Sequence, residues 1–229
     1  MKQLIIGDIH GCYEEFIELL DKCSLSDNDE IIALGDIIDR GPDSPQVLEF
    51  FSSRQNVRSI MGNHERKHIR SYLGKLRPAL SQIITERQFS EHGYKKMVDF
   101  IGDFPIYIEL DNALLIHGLY EPGLKLKDQK ENVLIGTMSG ETYFLEKYHE
   151  PWYHLYDGDK PVIAGHHDYS SSQKPLVIND KVFLIDTGCC YGGVLTGLIL
   201  PDFKIISVDC KHNYWSGLKR KYTDTIPSE

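Results

Sequence analysis

Three short blocks of the 229-residue chain set metal-binding side chains beside glycine: Gly7-Asp8-Ile9-His10-Gly11, Gly35-Asp36-Ile37-Ile38-Asp39-Arg40-Gly41 and Gly62-Asn63-His64-Glu65. Two histidines in similar settings follow, His117-Gly118 and Gly165-His166. Carboxylate, imidazole and amide oxygen together suit divalent ions of borderline to hard character, such as Mn2+, Fe2+ or Zn2+. No thiolate is among them, which argues against a purely structural zinc site. Gly7, Gly35, Gly62 and Gly165 let the backbone turn sharply so that the side chains can converge. Taken singly, each residue is ordinary, since a strand-end Asp commonly caps a turn and a lone His is commonly a satisfied polar group. Asp8, His10, Asp36, Asn63, His117 and His166 together are hard to explain as caps.

These residues need elements that bring them to one place. Short apolar runs stop at each of them: Leu4–Ile6, Ile31–Leu34, Val57–Met61, Ala113–Ile116, Val162–Ala164 and Val182–Ile185. Runs of this length with β-branched residues read as buried strands. Between the early runs, residues 13–22 place Phe16, Leu19, Leu20 and Cys23 on one helical face. Ser44-Pro45 reads as an N-cap followed by proline at the first helical position, opening a helix to about Arg54. Strand, helix and strand in alternation predict a mostly parallel sheet in the first half. Closely spaced strands from about Tyr107 predict a second sheet packed on the first. Ligands of such sheets gather beyond the carboxyl ends of the strands, where these polar residues fall.

Hydrophobic residues make up 41% and charged residues 26% of the chain, so it can bury a sizeable core, and we expect one domain over residues 1–229. The net charge of −9 and the lack of a long basic run exclude duplex nucleic acid as the expected partner. Lys219-Arg220-Lys221, the one basic cluster, reads as a solvated tail. Five cysteines without C-x-x-C spacing fit a reducing compartment, and no apolar run approaches a signal core or a membrane span. The expected location is the cytoplasm.

The three glycine-bearing blocks, in this order and at these separations, resemble the signature of the PPP-type, calcineurin-like metallophosphoesterases. His117-Gly118, Gly165-His166 and Ile185-Asp186-Thr187-Gly188 extend the resemblance over most of the chain. Within the family it resembles the bacterial branch of phage-lambda-like serine/threonine protein phosphatases and symmetrical diadenosine tetraphosphatases. The resemblance implies a two-sheet β-sandwich flanked by helices with a dinuclear metal site at the strands' C-terminal edge. It implies that Asp8 and His10 bind the first ion, that Asp36 bridges, and that Asn63, His117 and His166 bind the second, with Mn2+ the foremost candidate. Water activated between two such ions can attack phosphorus in line. His64 then stands as general acid, Asp39 as the group orienting its ring, and Arg40 as a planar fork for phosphate oxygens.

The chain departs from the pattern where many such phosphatases carry a second phosphate-binding arginine, since residues 118–165 contain none. Lys125, Lys127, Lys130, Lys147 and Lys160 are the available cations, and residues 118–160 are expected to form a cap or wall over the metals. The aromatics Tyr143, Phe144, Tyr148, Trp152, Tyr153 and Tyr156 read first as packing for that cap and second as a stacking surface for a nucleobase. His167 reads as a bystander, Asp168 at most as a supplementary ligand, Asp186 as a turn residue, and the cysteines as small buried hydrophobes. The leading expectation is a serine/threonine-type protein phosphatase or broad phosphomonoesterase acting on a phosphoprotein or small phosphorylated substrate. Second comes a bis(5'-nucleosyl)-tetraphosphatase, which attacks an anhydride. An inactive metal-dependent binding module is a remote third, because ligands, acid and clamp are all present.

Overall fold

Alternation along the first strand sets the layering: Leu4 and Ile6 pack with helical residues such as Phe16 and Phe51, while Ile5 packs with Leu115, Ile163 and Phe183 of another sheet. Side chains two apart share a face of a strand, so one strand serves two cores. The computed structural model describes residues 1–223. Its first half runs β1 (Gln3–Ile6), α1 (Tyr13–Cys23), β2 (Glu30–Ala33), α2 (Ser44–Ser52), β3 (Val57–Ser59), α3 (Asn63–Tyr72), α4 (Leu80–Glu86) and α5 (Glu91–Ile101). There follow β4 (Tyr107–Glu109), β5 (Leu114–Ile116), α6 (Glu131–Leu134), α7 (Met138–Lys147), α8 (Trp152–Leu155) and β6 (Val162–Ala164). The chain closes with β7 (Leu176–Ile178), β8 (Val182–Leu184), β9 (Val194–Leu200), β10 (Lys204–Asp209) and α9 (Tyr214–Thr223).

Two five-stranded mixed sheets result, ordered β10-β9-β1-β2-β3 and β4-β5-β6-β8-β7. The expected parallel pairs are present, β1 on β2 with Leu4 opposite Ile31, and β2 on β3 with Ile31 opposite Val57. In the second sheet β5, β6 and β8 are parallel. The division by halves does not hold, because β9 and β10 return antiparallel to β1 and complete the first sheet. Inter-sheet packing uses Ile5, Ile32, Leu34, Leu115, Ile163 and Leu198. Outer cores lie under α1, α2 and α5 on one side and under α7 and α8 on the other, where Phe144 and Trp152 are buried. The architecture is a β-sandwich flanked by helices.

Local readings held to within a residue or two. In α1, Phe16, Leu19 and Cys23 are buried as the periodicity requires, whereas Leu20 is half-buried. Pro45 sits in the first turn of α2, but the cap position falls to Asp43 and Ser44 is already helical. Lys219, Arg220 and Lys221 are solvent-exposed as expected, but they belong to helix α9 rather than to an irregular tail. Among the described residues no helix is long and apolar enough to cross a membrane.

Candidate metal centre

Each polar loop leaves a strand end. Asp8 and His10 follow β1, Asp36 follows β2, Asn63 opens α3 after β3, His117 follows β5 and His166 follows β6. Strands running parallel in both sheets deliver all of them to one edge. Asp36 is central. Its Oδ2 lies 3.6 Å from His10 Nε2, 3.5 Å from His117 Nε2 and 4.0 Å from His64 Nε2. Asp8 Oδ2 is 3.9 Å from His10 Nε2, and Asp8 Oδ1 accepts the His166 amide at 3.0 Å. Asn63 Oδ1 is 3.2 Å from His117 Nε2. The backbones must approach closely here: a Cβ on Gly165, after β6, would collide with Asp8 Oδ1 of the facing sheet, and one on Gly62 with Asp36 Oδ1 of the adjacent loop.

The hydrogen bonds fix which ring atoms face inward. His10 Nδ1–H donates to the Ile38 carbonyl at 2.9 Å and His117 Nδ1–H to the Leu34 carbonyl at 2.7 Å, so in both rings Nε2 carries the lone pair. His166 Nε2–H donates to Glu141 Oε1 at 2.6 Å, which leaves Nδ1 as its free lone pair. Asp8 Oδ2 and His166 Nδ1 are buried without a hydrogen-bond partner among the described residues. Arg40 donates to His10 Nε2 at 2.8 Å, a cationic contact to one of these ligand atoms. A cluster of buried acceptors short of donors is expensive unless cations fill it. Asp8, Asp36 and His117 form one group of donors within 4.8 Å of one another, and His10, Asp36 and His64 form another, so Asp36 belongs to both. The donor set therefore fits a pair of divalent cations.

Electrostatics follow from that burial. Desolvation opposes ionisation of Asp36, but His117, His64, His10 and Arg40 outweigh it and hold the carboxyl below the ordinary carboxylate range. Burial, then the neighbouring Asp186 and Asp36, push Asp8 well above that range. Burial drives the His166 imidazole down to about 4 and lowers His64 as well. At the candidate ligands, His166 among them, cations would favour the ionised carboxylate and neutral imidazole forms.

His64 Nδ1–H donates to Asp39 Oδ2 at 2.6 Å, and its Nε2 is buried, unpartnered among the described residues and aimed at the cluster. Asp39 also accepts from Gln82 Nε2 and, at 2.7 Å, from His68 Nε2–H, whose Nδ1 accepts from Tyr94 at 2.9 Å. His68 and Gln82 were not anticipated. His68 was detectable, since it lies four residues after His64 on the same face of α3. Glu65 between them completes an H-E-x-x-H spacing, yet it makes no zinc-protease pair. Its carboxylate instead accepts the amides of Asp36 (2.8 Å), Ile37 (3.0 Å) and Gly62 (3.1 Å).

An open cleft of about 280 Å³ exposes the cluster, lined among others by Arg40, Asn63, Met138, Glu141, His166 and Tyr191. Arg40 lies over the Tyr191 ring, 5.4 Å from its centre. Of residues 118–160, Gly136, Met138 and Glu141 reach this lining and the five lysines do not. Lys147 donates to Glu121 and Lys160 to Glu109, while Lys130 sits over Tyr143. Asp168 lines the cleft, but its carboxylate is held by Ser170 and the Gln173 amide, so it is committed to its own loop. Asp186 lines the cleft too while accepting the Gly188 amide, as a turn residue does. His167 shares Glu141 with His166.

Carboxylate and imidazole donors at the carboxyl edge of a two-sheet sandwich are the hallmark of one class. Residues 1–216 match the model of the calcineurin-like phosphoesterases, and the chain belongs to that family of metal-dependent hydrolases. Among curated relatives it is 33% identical to bis(5'-nucleosyl)-tetraphosphatase PrpE, asymmetrical, of a Geobacillus species, over 91% of this chain and 94% of the relative. It is 31% identical to the protein of the same name from Oceanobacillus iheyensis, over 98% and 97%. A solved structure provisionally assigned as a diadenosine tetraphosphatase superposes with a TM-score of 0.75 at 24% identity, covering 91% of this chain and 93% of that one. A protein serine/threonine phosphatase from Saccharomyces cerevisiae gives 0.61 at 14%, covering 93% and 80%, a likeness of fold.

Proposed function

We propose that the protein hydrolyses dinucleoside tetraphosphates, with the polyphosphate across the metal cleft and one nucleoside in the groove beside it. The observation that carries this reading is the continuity of the two surfaces. Glu141 and His167, which line the cleft, also line a groove of about 430 Å³ walled by Leu145, Tyr148, Tyr153 and Tyr169. A base stacked on such rings gains about 1–3 kcal/mol, whereas a phosphoserine side chain has nothing to place there. The names borne by the PrpE relatives point the same way and reverse the order of the two leading expectations. We further infer that residues 118–160 act as a substrate-selecting wall through α7, although their lysines do not supply the missing second clamp.

Asp8 and His10 would hold one cation, Asn63, His117 and His166 the other, and Asp36 both, with Mn2+ our first choice. When bound, the pair supplies Lewis-acid attraction for phosphoryl oxygens and lowers the pKa of coordinated water. The chain's own residues do the rest. Arg40, with five donors and no acceptor, turns from His10 Nε2 to phosphate oxygens and fixes their orientation. His64 holds a proton at Nε2 for the leaving phosphate oxygen, and Asp39 stabilises the charge this places on the ring. Burial opposes ionisation of Asp39, but the His68 and His64 rings outweigh it and keep the carboxylate ionised, while Gln82 helps to anchor it. Glu141 fixes the His166 ring.

The test offers Mn2+-loaded protein diadenosine tetraphosphate, a phosphoserine peptide and an aryl phosphate. The tetraphosphate should show the highest kcat/KM and yield AMP with ATP, the split that "asymmetrical" denotes. Tyr148→Ala and Tyr153→Ala should raise KM for it alone. A higher kcat/KM for the phosphopeptide would restore the phosphatase reading, and two molecules of ADP would refute the proposed placement of the chain.

A further inference from the structure

A second convergence of ligand atoms lies outside the cleft, behind the loop that carries Asp8 and His10. Cys12 occupies the N-cap of α1, Glu15 its first turn, Cys189 the 3-10 turn after β8, and Cys210 the end of β10. Residues that the sequence scatters over nearly the whole chain thus meet. The three sulfurs and one carboxylate oxygen of Glu15 lie within 4.8 Å of one another. Cys12, Cys189 and Glu15 are fully buried or nearly so, and Cys210 is partly exposed. No disulfide joins them.

A carboxylate in this position calls for explanation. Glu15 Oε1 accepts from the Tyr214 hydroxyl at 3.0 Å, the Lys211 amide at 3.3 Å and, weakly, the Cys210 thiol at 3.6 Å. Glu15 Oε2 is buried with no hydrogen-bond partner among the described residues. Thiols are weak donors, so the sulfurs offer it little. A divalent ion accounts for all four groups at once, through a fixed oxygen ligand and three thiolates.

We propose that Cys12, Glu15, Cys189 and Cys210 form a closed structural site for one zinc ion, separate from the hydrolytic cleft. Thiolate-rich sets select soft or borderline ions, and four protein ligands leave no open position for substrate, the mark of a structural site. Zinc–sulfur bonds of about 2.3 Å place tetrahedral donors about 3.8 Å apart, so the longest edge contracts by about 1 Å at most. The positive end of α1 opposes the added negative charge. Cys210, accessible at a strand end, provides the way in. Each thiol releases its proton to solvent on binding, so affinity falls as pH is lowered. The ion would tie the β1–α1 loop, the β8–β9 connection and the β10–α9 connection into one unit, and the β8–β9 connection lines the cleft.

Cobalt discriminates this site from the cleft, because Co2+ bound to thiolate shows a near-ultraviolet charge-transfer band that oxygen and nitrogen ligands do not give. Chelator-stripped, reduced full-length protein titrated with Co2+ should develop the band, and zinc should abolish it. Zinc-loaded wild type should retain one more zinc per chain than Cys210→Ser. Cys210→Ser should lose most of the band, while Cys23→Ala, outside the cluster, should keep it. Absence of the band from folded wild-type protein would overturn the proposal without recourse to any variant. So would its persistence in Cys210→Ser, or a native disulfide among the three cysteines in protein that shows no band after reduction.

Discussion

His10, Asp36, Asp39, Arg40 and His166 all have positive φ, at 49°, 49°, 76°, 65° and 80°. A non-glycine residue held in that region costs of order 1–3 kcal/mol, and here the cost falls on the groups that face the cleft. The strain aims side chains inward from tight turns, with their positions set before substrate arrives. His64 lies in the first turn of α3 and is aimed by Asp39 instead. His64→Asn should lower kcat by about 10²–10⁴-fold while metal occupancy, read by elemental analysis, is unchanged. The loss should shrink for esters with good leaving groups, and equal losses for aryl and alkyl phosphates would remove His64 from the role of acid. At this scale the candidate ligands could be read from residue type and neighbouring glycine. Glu141, Glu65 and Gln82 could not, because what they do depends on which partner lies opposite, and the partner is up to 43 residues away; His68 is legible only through its spacing from His64 on α3.

Among elements, α3 begins at Asn63 itself, so the third block is a helix start as well as a strand end. Glu65 in its first turn takes three amides from the neighbouring loops, which makes it the pin between β2, β3 and α3. Glu65→Ala strands those amides in a buried place at about 1–3 kcal/mol each. Unfolding of the metal-free variant in denaturant should show at least about 3 kcal/mol of lost stability, and a loss under about 1 would show that the amides find other partners. A second pin acts at the start of the sheet. Asp29 accepts from Lys2 N at 2.6 Å and from Ser26 N and Oγ at 2.9 Å, and the Ser26 and Lys2 amides draw its pKa down to about 2. A lowered pKa stabilises the fold above the unfolded value near 3.9, and that contribution fades as pH falls toward about 2. The Tm deficit of Asp29→Asn should therefore be full at pH 7 and gone by about pH 2; a pH-independent deficit would locate its role elsewhere. The helices between Leu80 and Ile101 passed unremarked in the sequence, since no glycine-bearing motif marks them.

Over the whole molecule, the proposed ligands divide between the sheets, with Asp8, His10, Asp36 and Asn63 from the first and His117 and His166 from the second. Cations there would add a further tie between layers that already meet through apolar packing such as Ile5 on Leu115 and through bonds such as His117 to the Leu34 carbonyl. One ion at 100 times its dissociation constant adds about 2.7 kcal/mol, or about 5–10 °C in Tm for a domain of this size. Calorimetry with and without Mn2+ should show that rise, and His117→Ala should reduce it; a Tm indifferent to Mn2+, Fe2+ and Zn2+ would contradict a metal held between the sheets. The sequence by itself determined six of the ten strands among the described residues, the parallel order of the first three and the candidate ligand set, because these follow from side-chain type, apolar runs and local turn chemistry within a few residues. Tertiary structure alone decided three further matters: that β9 and β10 return to β1, that the lysines of residues 118–160 do not line the cleft, and that Cys12, Glu15, Cys189 and Cys210 meet. Each depends on contacts between residues far apart in the chain, which strand pairing creates and no local pattern records.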